Sequence, residues 1–124
     1  MTRVQAKRPT VEAPLPDRET DARPSGLADL EPKAEKVAAL LAAMANSKRL
    51  LILCALMEGE RQAGDLAALV GLNFSAASQH LARMRLQGLV GTRREGQAIV
   101  YRLESDEVRA VLQTLYDVFC APGR

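Results

Sequence analysis

The chain has 124 residues, 26% charged and 48% hydrophobic, with a net charge of +2; this suits one ordinary globular domain, excludes a large two-domain active site and leaves nucleic acid unannounced by charge alone. With no apolar run near the roughly 18 residues of a membrane span, and no apolar signal region behind Met1, a cytoplasmic protein is expected. Two cysteines are too few for a secreted disulfide scaffold, and with no Trp, two Tyr and two Phe the core must be aliphatic.

Five of the six prolines (Pro9, Pro14, Pro16, Pro24 and Pro32) fall in the first 32 residues, among few large apolar side chains. Such a stretch buries too little to offset its ordering entropy, so residues 1–29 are expected to be a disordered tail before a domain over 30–121. Pro32 suits the first turn of a helix whose stripe is Val37, Leu40, Leu41 and Met44. Asn46 or Ser47 caps a second helix over 47–58, apolar almost all round from Leu50 to Met57 and therefore expected to be buried throughout, and Gly59 ends it. A third, over 64–70, turns Leu66, Leu69 and Val70 inward and stops at Gly71. Asn73 caps a fourth over 74–87, with Ala77, Leu81 and Met84 inward and Gly88 as its stop. The period then changes. Leu89 to Arg94, a Glu95-Gly96-Gln97 turn and Ala98 to Leu103 form a hairpin, with Ile99, Tyr101 and Leu103 on one face and Ala98, Val100 and Arg102 on the other, one face being buried. Ser105 caps a last helix, with Asp106 and Glu107 in its first turn and Val108, Val111, Leu112, Leu115 and Phe119 as its stripe. Pro122 prevents it from running on.

Two short helices joined by Gly71-Leu72-Asn73, then a hairpin with a basic tip, make a mainly α fold with a small β-hairpin, the winged helix-turn-helix. That motif lays its second helix in the major groove. Its outward face offers Ser75, Ala76, Ser78, Gln79 and Arg83. Small residues admit the backbone to the groove floor, Gln pairs best with adenine, and Ser and Arg suit phosphates or bases. The wing adds Arg93, Arg94 and Gln97, and Arg85 is placed to reach a backbone. Alone, the two wing arginines read as a solvated turn, and Ser75, Ser78 and Gln79 as a polar helix face. In the order helix, turn, helix, hairpin they point to double-stranded DNA, bound with strong salt dependence.

The run SAASQHLARMRLQGLV, from Ser75 to Val90, followed by TRREGQAIVYRL to Leu103, resembles the ArsR-type winged-helix repressors over residues 33–121. The resemblance implies a homodimer paired through the first and last helices, occupying an operator with two half-sites, and places Asn73 and Phe74 at the start of the reading helix. Phe74 departs from a pattern that often has a polar residue there; either the operator differs or Phe74 meets a thymine methyl.

Metal sensing is common in that family, but the ligands are not here. The last helix has Asp106, Glu107 and Asp117 without a His, the single His80 lies on the fourth helix as a structural or DNA-proximal residue, and residues 60–66 hold no Cys. No metal or cofactor is therefore expected. There remain Cys54, which alone reads as a small core hydrophobe, and Cys120, which alone reads as an idle thiol. As a pair, in RLLILC (Arg49 to Cys54) and YDVFC (Tyr116 to Cys120), they resemble the persulfide-responsive, SqrR/BigR-like branch. That resemblance implies a dithiol sensor of low-molecular-weight persulfides or polysulfides, whose sulfur bridge from Cys54 to Cys120 releases operator DNA. Three alternatives stay open: an arsenite- or oxidant-responsive repressor of the same fold; a small thiol oxidoreductase, disfavoured by the lack of a Cys-x-x-Cys pair or a His near either Cys in sequence; and a protein-binding adaptor on the same scaffold.

Overall fold

A computed structural model of the chain describes residues 26–121. The tail expected over 1–29 lies mostly outside these residues, as does Pro122. The chain divides into two compact units at Ala39 and Leu40. In the described part of the first, Gly26–Leu30 forms helix α1, so regular structure begins before the expected boundary at residue 29. A 3-10 turn, Glu31–Lys33, follows with Pro32 in its first turn, where its missing N–H costs nothing. Helix α2, Ala34–Met44, starts just after that turn rather than at Pro32 itself.

The second unit holds the core. Helix α3, Ser47–Glu58, is capped by Asn46, whose side chain accepts a hydrogen bond from the Arg49 N–H. Strand β1, Arg61–Gln62, leads into α4, Ala63–Val70, which closes on Gly71 in the left-handed region at φ 74° with its N–H bonded to the Ala67 carbonyl. Helix α5, Phe74–Leu86, is capped by Asn73 Oδ1 on the Ala76 N–H. Strands β2, Val90–Glu95, and β3, Ala98–Leu103, form the hairpin, with Glu95 opposite Ala98 and Val90 opposite Leu103. Helix α6, Asp106–Phe119, starts at Ser105, whose hydroxyl accepts the Val108 N–H.

The sheet has three strands in the order β1-β3-β2, not two. Arg61 and Gln62 pair antiparallel with Tyr101 and Val100. A two-residue strand is too short for any period to mark it. This pairing places β3 in the centre of the sheet, so the hairpin's burial is not a simple alternation. Val100 and Leu103 are buried and Ile99 is exposed, so the buried residues come from both of the expected faces.

Ile52, Leu53, Leu66, Leu81, Met84, Leu89, Val108 and Leu112 share one aliphatic cluster and are almost wholly buried. Each such side chain contributes roughly 1.5–3 kcal/mol relative to exposure. Three apolar expectations fail at the surface. Leu51 and Cys54 are exposed on α3, because the core surrounds only the Ile52–Leu53–Leu56 side of that helix. Leu69 is 58% exposed, its inward place taken by Ala67. Phe119 is 75% exposed, since the inward stripe of α6 is spent after Leu115. Among the described residues no single helix is long and apolar enough to cross a membrane.

Candidate nucleic-acid interface and thiol pair

Helices α4 and α5 are joined by Gly71, Leu72 and Asn73, and α5 packs on the body through Ala77, Leu81 and Met84, each fully buried. Its other side is thereby fixed outward. Ser75, Gln79 and Arg83 are exposed, and Ala76 and Ser78 are partly so. Phe74 opens the helix 64% exposed, an apolar ring left uncovered by the described residues. Asn73 spends its side-chain oxygen on the cap, which leaves its amide N–H groups for a ligand.

The two wing arginines are not alike. Arg93 Nη2 lies 2.7 Å from Glu60 Oε1, and Nη1 lies 3.1 Å from Glu95 Oε2. Hydrogen bonds to Glu60 and then Glu95 raise its pKa above the ordinary guanidinium value. In the free chain its charge is therefore already answered. Arg94 is exposed on the opposite side of β2 and has no ion pair among the described residues. Gln97 is exposed in the turn, where Gly96 takes φ 64°. Sequence spacing could not find Glu60, because it meets Arg93 across 33 positions. Behind the sheet, Arg102 bonds the Thr92 carbonyl and pairs with Glu104.

The first turn of α3 carries Lys48 and Arg49 and no acid, against the helix dipole. Both cations serve other helices. Lys48 Nζ donates to the carbonyl of Val70, the last residue of α4, and Arg49 Nη1 donates to the Ala43 carbonyl near the end of α2 at 2.8 Å. Cations suit helix C-termini, and these carbonyls lack a partner within their own helices. Arg49 also lines a notch with Ala76, Gln79, His80 and Arg83 of α5. Arg49 carries no mark in the apolar period; its unfavourable place in the first turn of α3 is the signal that singles it out.

Cys54 and Cys120 are free and exposed thiols. Cys120 closes α6, its N–H bonded to the Tyr116 carbonyl at 2.8 Å, so the helix stops just before the thiol while the backbone there is held. The Cys54 pKa is raised, first by partial burial, then by the charge of Cys120 and then by that of Glu58. The two thiols, one mid-α3 and one ending α6, therefore stand within electrostatic reach in a single chain. Among the described residues no three His, Cys, Asp or Glu side chains gather as a metal site.

The comparisons with known proteins agree with this geometry. Residues 46–92 match the model described as "Bacterial regulatory protein, arsR family". The HTH-type transcriptional regulator YgaV of Escherichia coli is 48% identical over 95 residues, 76% of this chain and 96% of that protein. The transcriptional activator HlyU of Vibrio cholerae, solved in its reduced form, superposes with a TM-score of 0.71 at 44% identity, over 77% of this chain and all of that one. The transcriptional repressor BigR of Xylella fastidiosa gives a TM-score of 0.71 at 37% identity, over 76% of this chain and 96% of that one.

Proposed function

The chain belongs to the arsR family of bacterial regulatory proteins, and from that membership we propose that it is a homodimeric, cytoplasmic repressor that releases operator DNA when sulfur bridges Cys54 and Cys120. What supports the sensing half is the placing of the chain's two cysteines, one in mid-α3 and one closing α6, on elements that pack against each other, with Cys120 among the charges that raise the Cys54 pKa.

In this reading α5 enters the major groove and reads bases with Gln79 and Ser78, with Ser75 and Ala76 close to the groove floor. Arg83 and Arg94 meet phosphates, and Asn73, Phe74, Gln97 and Arg93 border the contact. Leu41 on α2, with Tyr116, Val118 and Phe119 on α6, is large, apolar and exposed, as surfaces that pair two copies are. A relative named as a repressor and one named as an activator share this frame. Repression follows when the dimer covers the promoter and is lifted when it leaves.

The sulfur chemistry balances without an outside oxidant beyond the inducer. A cysteine thiolate attacks the outer sulfur of a persulfide RSSH, giving Cys–SSH and RS⁻. When both cysteines have reacted, the persulfide anion of one attacks the Cys-bound sulfur of the other, forming a trisulfide and expelling HS⁻. The bridge ties α3 to α6. Half-site recognition depends on the separation of the two α5 helices, so a shift of the pairing helix weakens binding. A coupling of about 1–3 kcal/mol corresponds to a 5–150-fold loss.

The test is non-reducing intact mass and duplex binding after exposure to glutathione persulfide, with a disulfide-forming oxidant in parallel. One retained sulfur between the cysteines, with loss of binding, is expected from the persulfide alone. A plain disulfide from both reagents makes the protein a general redox switch. Full persulfide-driven release by Cys54→Ser would sink the sensor.

A further inference from the structure

The notch between the first turn of α3 and the face of α5 has a volume of about 230 Å³ and stands half open to solvent, with room for more than a water molecule. Arg49, Gln79, His80 and Arg83 line it together with Ala76, and among the described residues no carboxylate does. Two guanidinium groups, an imidazole and a carboxamide all supply N–H donors, and like-charged groups converge there only at an electrostatic cost.

One donor of Arg49 is also left without a partner. Arg49 is only partly exposed, and its Nη1 is tied to the Ala43 carbonyl, so its guanidinium is held in place. Its Nε–H is buried and, among the described residues, finds no acceptor. A buried donor without a partner costs about 1–3 kcal/mol, and because this atom meets no solvent an acceptor in the notch reaches it only if the Arg49 side chain turns.

We propose that this notch is a seat for a phosphate oxyanion, and that a backbone phosphate of the bound duplex fills it. The second clause rests on the DNA-binding reading above. A tetrahedral dianion or diester offers several acceptors to several donors, and guanidinium forks match it in shape as well as charge. The seat adjoins Gln79 on the helix that faces the groove. Occupying it would clamp the α3–α5 angle while α5 reads the bases. Arg49 and His80 thereby become anchors that set register and carry no sequence information.

The single histidine of the chain is a built-in reporter. Its imidazole proton resonances should shift and saturate on titration with inorganic phosphate, and Arg49→Gln should abolish the saturable shift. In a fluorescence assay, log affinity against log salt should flatten by about 0.9 for Arg49→Gln, and His80→Phe should weaken operator and random duplexes about equally, by up to tenfold. Thermal melting identifies variants that fail to fold; His80→Phe keeps the side chain's bulk and carries the test if Arg49→Gln does not fold. A saturable phosphate shift together with a flattened slope supports the seat with DNA as the source. A saturable phosphate shift with an unchanged slope keeps the seat but assigns it to a free phosphate. Equal, non-saturating shifts in wild type and Arg49→Gln, with an unchanged slope in both variants, overturn it. If wild type binds no duplex, the DNA reading falls, and the phosphate titration still decides the seat.

Discussion

Helices α5 and α6 have 13 and 14 residues, and both begin on a side-chain cap, yet one chain completes only the first. In α5 the inward residues Ala77, Leu81 and Met84 are sealed, and the outward face is mostly polar. In α6 burial ends after Leu112, and Tyr116, Val118 and Phe119 face solvent ahead of Cys120. The polar face of α5 is stable in water and awaits a ligand. The apolar end of α6 is costly in water and calls for a second protein surface. The helix proposed to read DNA is thus complete in itself, while the helix that Cys120 closes depends on its surroundings. A regulator needs that division of labour, because it must change the spacing of its reading helices without melting them.

The sharpest way to break the comparison is at the two apolar sites. Leu81→Ala should cost about 2–5 kcal/mol in denaturant unfolding at any protein concentration. Phe119→Ser should leave that core intact and show instead as a weaker dimer in sedimentation, with melting that depends more steeply on dilution. A monomer-like loss of stability for Phe119→Ser at all concentrations would show that α6 is finished within one chain.

Next in size, Gln79→Ala should weaken a selected duplex by about tenfold or more and a random one by clearly less, the smaller loss reflecting its share in the phosphate seat. Equal losses on both would remove Gln79 from base reading.

At the thiol end, the raised Cys54 pKa has a kinetic sign. A pKa above the ordinary thiol value means less thiolate at neutral pH, so alkylation of Cys54 should accelerate by about tenfold per pH unit through the neutral range. Removing neighbouring negative charge lowers that pKa. In a Cys120→Ser background, where Cys54 is the only thiol, Glu58→Gln should raise the alkylation rate a few-fold at pH 7.5, as read by mass.

The smallest effects belong to the wing. Arg94→Ala should flatten the salt dependence of duplex binding by about one phosphate equivalent, and Arg93→Ala by less, because Glu60 and Glu95 already hold Arg93. Glu60→Gln should strengthen random-duplex binding a few-fold. If the two arginine variants behave alike, the carboxylates release Arg93 to DNA at little cost.

Much of the frame was legible in the sequence. Asn73 and Ser105 marked helix starts, Gly71 a stop, and the spacing of Ala77, Leu81 and Met84 gave the buried face of α5, because these signals are local. Strand β1 was missed because two residues carry no period, and the alternation of Ala98 to Leu103 did not say which face would be covered, because that depends on helices distant in the chain. Leu51, Cys54, Leu69 and Phe119 read as core because hydrophobicity reports a wish to leave water, not which surface grants it. Of the candidate site, the outward residues of α5 could be read one by one. The Glu60–Arg93–Glu95 link and the Arg49–His80 notch could not, since each joins residues distant in the chain.

The strand order β1-β3-β2 leaves β2 as an outer strand. An open strand edge presents a row of backbone donors and acceptors on which another molecule's strand can add, the first step towards a fibre. Here that edge is only six residues long and ends in Arg93, Arg94 and Glu95, all exposed. A second wing approaching in parallel or antiparallel alignment would bring these charges together as both sheets lost water. The charges proposed to meet a nucleic acid thus also act as gatekeepers against polymerisation. A variant with Val or Thr at all three positions would therefore lose colloidal solubility even in a cell that held none of its DNA.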